Sequence, residues 1–359
     1  MQKKEWLDFI KVFAVLMTIF LHSNSTLVNF QTSILASPVE LNMDHWKISV
    51  VFASLAGSSF ALIFMYLGAV TLATKHSSFS FYLSKAKLLF LPLLFWSLFA
   101  FFFQKYLMHQ DIHIIPWFLS ILETAVTAAP IFLLSLLIIV FLLTPLLKKY
   151  MTLHNTTQQF TIAIVWMTVM TLLLTLERSL GFKIPMLIIM AIAYLGFMQF
   201  GFLLSRITLN KNILLTAIIF FLIGNTWTIF ASILYSNPED IAKGVYANYY
   251  FNRISIPMIL NSLGLFVLLR YVAEEAMQIR WFYDKVISIS HVALGMCMVY
   301  SYWFVILGSE KIGIELTAFL GNPLWAVPLT AFLTIIGSMA TIFVIKKIPY
   351  LHHITPRLY

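Results

Sequence analysis

The chain has 359 residues, of which 61% are apolar and only 10% charged, and its formal net charge is +9. Soluble domains are about 45–50% apolar and about 25% charged, so this balance excludes an ordinary soluble protein and points to a polytopic membrane protein, buried by lipid and by helix-on-helix contact. The basic residues are scattered through short polar stretches, which suits membrane orientation rather than nucleic-acid binding, and the single cysteine, Cys297, has no internal disulfide partner.

A membrane-crossing helix takes about 20 mostly apolar residues. In chain order, ten segments qualify, near 7–28, 48–74, 86–107, 128–147, 158–176, 184–205, 212–235, 254–273, 285–308 and 324–346. The fifth is short. The stretch 111–127 is apolar but carries His113, Pro116 and Glu123, and reads as an interfacial or re-entrant segment, with an eleventh span as the alternative. Lys3 and Lys4 before an apolar run also fit the opening of a signal peptide. Asp8 and Lys11 inside that run, with no A-x-A site after it, favour a retained first helix. The predicted fold is all-α: one integral membrane domain over 1–359, with about ten transmembrane helices.

Charge orients the spans. Starting from a cytoplasmic N-terminus and alternating, fifteen Lys and Arg fall on the inner side and seven on the outer, with Lys11 left inside a span. Positive residues collect on the cytoplasmic side, so both termini are expected there. No sequence repeat is visible, which weighs against the common inverted-repeat transporters.

The first span is W-L-D-F-I-K-V-F-A-V-L-M-T-I-F-L-H, residues 6–22. Ionisable groups in a span are costly and mark a polar interior or a function. At about 100° per residue, Lys11 and His22 fall about 20° apart. Thr18 lies about 20° to the other side and Ser25 about 40° away, while Asp8, at i,i+3, reaches Lys11. One polar stripe therefore runs through Asp8, Lys11, Thr18, His22 and Ser25. Its rise places His22 about 16 Å deeper than Lys11. A cation at the cytoplasmic mouth suits an anionic cofactor, and a deep histidine suits proton transfer. A snorkelling lysine and a hydrogen-bonded structural histidine are the plainer readings of each residue alone.

With these residues in place, the segment resembles the first helix of the acyltransferase-3 family, integral membrane O-acyltransferases of bacterial surface glycans. That family opens with L-D-x-x-R, an apolar run, and a histidine eleven residues after the arginine. Here Leu7-Asp8-Phe9-Ile10-Lys11 leads to His22, with lysine in the arginine position. Residues 58–70, S-S-F-A-L-I-F-M-Y-L-G-A-V, look like its second-span motif, with Gly68 retained and Leu67 at the usual serine. Residues 81–92 resemble the basic stretch and proline that open its third span. Residues 287–300 resemble its late S-x-x-S-L-G-I-Y-x-x-H segment, with Ser290, Leu294 and Gly295 matching and Tyr300 at the histidine position.

The resemblance implies transfer of an acyl group, commonly acetyl from acetyl-CoA or another acyl-CoA, to a hydroxyl of a cell-surface glycan or lipid-linked sugar at the bacterial inner membrane. His22 would be the general base and Lys11 would help to hold the cofactor, oriented by Asp8. Apart from the resemblance, Lys85 and Lys87 lie on the cytoplasmic rim, where they could meet CoA phosphates, with ordinary inner-side charge as the plainer reading. Tyr300, Thr18 and Ser25 would contact the acceptor. The competing class is a non-enzymatic membrane transporter of a lipid or glycan, or an inactive acyltransferase-like relative.

Other polar groups have plainer readings. His291 reads as structural, and Glu177–Arg178 and Glu239–Asp240 as solvated loop. Trp117, Trp227 and Tyr249–Tyr250 fit sugar stacking and an interfacial aromatic belt equally well. No metal-ligand constellation is evident, and His352–His353 have no ligand at useful spacing.

Overall fold

The structure, a computed structural model, describes residues 5–29, 42–74, 79–107, 113, 129–180, 185–236, 252–308, 322–349 and 351–355. These residues are helical, with no strand among them. The helices are α1 (Trp6–Asn29), α2 (Met43–Ala56), α3 (Ser59–Thr71), α4 (Phe79–Phe102, continued by a π turn over Phe103–Leu107) and α5 (Ala129–Leu153). They continue as α6 (Thr156–Leu180), α7 (Met186–Leu204), α8 (Lys211–Tyr235), α9 (Ile256–Ala276), α10 (Arg280–Leu307) and α11 (Pro323–Lys347), followed by a 3₁₀ turn at Leu351–Ile354. Among the described residues ten spans are long and apolar enough to cross a membrane, and each coincides with one expected from the sequence. The chain is a multi-pass, all-α membrane protein. Of the stretch 111–127, only His113 lies among the described residues, and it is exposed.

The second span is not one rod. Met43–Thr71 is built from α2 and α3, interrupted at Gly57–Ser58. A Cβ on Gly57 would stand 2.2 Å from the Met258 methyl and 2.9 Å from the Ala53 carbonyl oxygen. A side chain there would require the flexible end of Met258, on α9, to shift.

The chain divides into two compact units. The first comprises residues 1–63, 207–293 and 302–340. Its α8 and α9 pack through reciprocal glycines. A Cβ on Gly224 would meet the Asn261 nitrogen at 2.7 Å, and one on Gly264 would meet the Phe221 nitrogen at 2.7 Å. Small residues at a crossing let backbones touch, the usual device where lipid removes the hydrophobic driving force. At the same crossing Asn225 Nδ2 donates to Asn261 Oδ1 at 3.2 Å, and Asn261 Nδ2 donates back to Asn225 Oδ1 at 3.2 Å. Ser54 Oγ of α2 also donates to Asn225 Oδ1, at 2.9 Å. Three helices are tied by one polar knot.

The second unit comprises 64–206, 294–301 and 341–359. It repeats the device with α3 and α7. A Cβ on Gly68 would lie 1.9 Å from the Met198 carbonyl oxygen, and one on Gly201 would lie 2.0 Å from that of Met65. Trp96 Nε1 donates to the Ile354 carbonyl at 3.0 Å and holds the 3₁₀ turn against α4.

Among the described residues, two of the basic side chains counted on the inner side with the span ends are buried within span helices. Lys148 sits in α5, which runs on through Pro145 to Leu153. Its side chain is buried and donates to the carbonyl and the hydroxyl of Thr74, just past the C-terminal end of α3. A helix C-terminus offers orphan carbonyls and partial negative charge, which a lysine satisfies. Arg270 is likewise buried in α9, donating to Glu274 Oε1 at 2.7 Å and to the Ile207 carbonyl at 2.9 Å. Lys11 is therefore not alone in being a buried cation within a span.

Gly201→Leu should prevent α7 from meeting α3, at a cost of about 3 kcal/mol or more. The expected outcome is loss of the monodisperse peak on size exclusion in detergent, with Gly201→Ala intermediate. A wild-type elution profile for Gly201→Leu would contradict the crossing.

Candidate functional site

The polar stripe of α1 belongs wholly to the first unit. Its N-terminal end is an ion pair. Lys11 Nζ lies 3.5 Å from Asp8 Oδ1, and both side chains are buried, at 6% and 2% exposure. The i,i+3 spacing brings them together on one helix face. Ser290 of α10 adds a hydroxyl that donates to Asp8 Oδ1 at 2.5 Å. A buried carboxylate needs hydrogen bonds as well as a counter-charge, and Ser290 supplies one. The serine that carries the late-segment resemblance thus meets the aspartate that carries the early one.

Trp6 stands beside this pair. Its ring packs edge-on to Phe266, with centroids 6.0 Å apart, and the Arg270 guanidinium lies 5.3 Å from the Trp6 ring. The start of α1 is clamped to α9 by aromatic and cationic contact.

The other end of the stripe is His22. Its Nδ1 lies 2.8 Å from the Thr18 carbonyl oxygen. A carbonyl only accepts, so Nδ1 carries the proton in this bond. In the neutral ring Nε2 is then the unprotonated, basic nitrogen. Thr18 itself is buried, and its hydroxyl donates to the Ala14 carbonyl at 2.8 Å. Its polar groups are spent within the helix: the hydroxyl turns back one turn, and the carbonyl fixes His22. Ser25 continues α1 by less than one turn beyond His22, and its side chain lies outside those described. Asp8 and His22 are 14 residues apart, about 21 Å along the axis, so Asp8 acts on Lys11 and not on the histidine.

Two residues not singled out in the sequence frame the His22 end. The ring of Phe60, at the start of α3, lies 6.0 Å from the His22 ring. The Arg253 guanidinium stacks over that same Phe60 ring at 3.9 Å. One aromatic side chain therefore holds base and cation within about 10 Å of each other, and the charge of Arg253 acts on His22. By position Arg253 is an ordinary outer-rim basic residue, and nothing in the local sequence announces its partner.

Lys85, Lys87 and Tyr300 belong to the second unit. Lys85 is half-buried with its ammonium 5.6 Å from the Phe81 ring, and Lys87 is exposed. Tyr300 is buried in α10. His291 and Trp227 are exposed. Glu239–Asp240, Tyr249–Tyr250 and Trp117 lie outside the described residues, as do the side chains of Glu177, Arg178 and His352. Among the described residues no group of three or more His, Cys, Asp or Glu could hold a metal ion.

No protein-family model, no curated protein and no solved structure matches the chain.

Lys11→Met leaves the Asp8 carboxylate buried without its cation and should cost about 3 kcal/mol. Adding Asp8→Asn should recover part of that loss, because the stranded charge is gone. Thermal unfolding of the purified protein reads both. Additive losses in the double variant would contradict the pairing.

Proposed function

We propose that the chain is a membrane O-acyltransferase that moves an acyl group, acetyl in the first instance, from acyl-CoA to a hydroxyl of a cell-surface glycan or lipid-linked sugar at the bacterial inner membrane. One observation carries this reading. The Thr18 carbonyl holds the proton of the His22 ring on Nδ1, so that Nε2 is its basic nitrogen, on the same helix as a buried lysine–aspartate pair. The likeness of residues 6–22 to the acyltransferase-3 pattern supports the same assignment.

In this reaction His22 Nε2 takes the proton of the acceptor hydroxyl. The oxygen attacks the thioester carbonyl, the carbon–sulfur bond breaks, and the coenzyme thiolate leaves and is protonated. The ester remains on the acceptor. A histidine positioned in this way is worth about 10²–10⁴ in rate. The separation of about 16 Å between Lys11 and His22 suits a donor with a long arm between its anionic end and its thioester. Since Asp8 already balances the Lys11 charge, Lys11 fits the polar arm of the cofactor better than its phosphates.

A second reading is favoured by the break in the second span. Broken helices are where transporters commonly bind cargo. Here the break at Gly57–Ser58 leaves the hydroxyls of Ser58 and Ser59 buried, with no hydrogen-bond partner among the described residues. Translocation of a glycan or lipid would use such a site.

Membranes containing the wild type should pass labelled acetyl from acetyl-CoA to endogenous glycan, and His22→Ala should lower transfer at least about 100-fold with protein levels unchanged. Equal labelling by the two would remove His22 from catalysis. No labelling from any acyl-CoA, together with glycan translocation, would establish the transport reading.

A further inference from the structure

We propose that Arg253 anchors the acceptor through an oxyanion, a carboxylate or a phosphate, carried by the same molecule whose hydroxyl His22 deprotonates. This deepens the acyltransferase reading and rests on it for the role of His22, but the anion site stands on its own geometry.

Arg253 precedes α9 by three residues and is only half-exposed. Its guanidinium carbon lies 3.9 Å from the centre of the Phe60 ring, a stacking distance. A stacked guanidinium keeps its N–H edge available, because the ring engages the face and not the donors. No hydrogen bond and no ion pair to a described residue uses those donors. Among the described lysines and arginines of this unit, the two buried ones have carboxylate partners: Lys11 has Asp8, and Arg270 has Glu274. A cation partly withdrawn from water without a counter-charge is costly. A ligand oxyanion would supply that charge, and the fork geometry of arginine matches carboxylate and phosphate in bidentate fashion.

Position makes the ligand a substrate and not a stray ion. Phe60 touches both the Arg253 guanidinium and the His22 ring, so an anion bound at Arg253 lies within one sugar ring or so of the His22 base. The first turn of α9 follows Arg253 directly, and its N-terminal dipole adds positive potential in the same place. The acceptor class is therefore an acidic hydroxyl compound. It is either a sugar carrying a carboxylate or a sugar joined to phosphate, as in a lipid-linked glycan.

The test uses the full chain in nanodiscs of neutral lipid, with thermal unfolding followed at fixed ionic strength. Glucuronate, inorganic pyrophosphate and glucose are titrated separately. At least one anion should raise the midpoint of the wild type by about 2–4 °C at tenfold its Kd, and glucose should not. His22→Ala should keep the full shift, Arg253→Lys a smaller one and Arg253→Gln none. A shift with glucuronate alone assigns an acidic sugar, and one with pyrophosphate alone assigns a phosphate-linked acceptor. The proposal fails if neither anion exceeds glucose in the wild type, or if Arg253→Gln responds as the wild type does. Should Arg253→Gln not fold, the wild type against glucose and Arg253→Lys decide the matter. A full anion shift in a His22→Ala protein that still transfers acetyl would overturn the role of His22 and leave Arg253 standing.

Discussion

The hydrogen bond from His22 Nδ1 to the Thr18 carbonyl is the constraint on which the site depends. An imidazole inside a span must satisfy its N–H or be costly there. A partner on its own helix meets that need without drawing on any neighbour. The same bond also makes a chemical choice. By fixing the proton on Nδ1 it leaves Nε2 as the unprotonated nitrogen, and it orients the ring. Thr18 can serve this way because its own hydroxyl is occupied with Ala14.

Everything at the other end of α1 follows from a different need, that of holding a carboxylate out of water. Asp8 is tolerated because Lys11 neutralises it and Ser290 hydrogen-bonds it. The Trp6–Phe266 and Trp6–Arg270 contacts fix the helix start against α9. The glycine crossing of α8 and α9, with the Asn225–Asn261 pair, in turn fixes α9. Polar side chains in this unit thus do two jobs. They fasten helices where lipid offers no hydrophobic gain, and they set out a charged pair and a base along one helix.

The ten spans were legible because length and apolar content are enough to define a crossing. The stripe on α1 was legible because helical periodicity needs only one segment. Other features depend on what a residue meets, and a single sequence does not record that. Lys148 and Arg270 looked like rim charge, since a lysine near a span end reads the same whether it snorkels or binds the Thr74 carbonyl. The interruption at Gly57–Ser58 falls at a Gly-Ser-Ser step inside a stretch long and apolar enough to read as one span. At this step Gly57 faces the Met258 side chain, two hundred residues away in sequence. Arg253 reads only as rim charge and Phe60 only as one apolar residue of 58–70, because what matters is that the Phe60 ring meets both Arg253 and His22. Ser290 was noted only through resemblance, and its partner Asp8 came from the fold.

The central claim is that His22 is a neutral imidazole with its proton on Nδ1. Nitrogen-15 NMR of histidine-labelled protein in nanodiscs, with the His22 signals assigned by their loss in His22→Ala, measures this directly. The account predicts a protonated, pyrrole-type Nδ1 and an unprotonated, pyridine-type Nε2 at neutral pH. The reverse tautomer, or a ring protonated at both nitrogens, would contradict it.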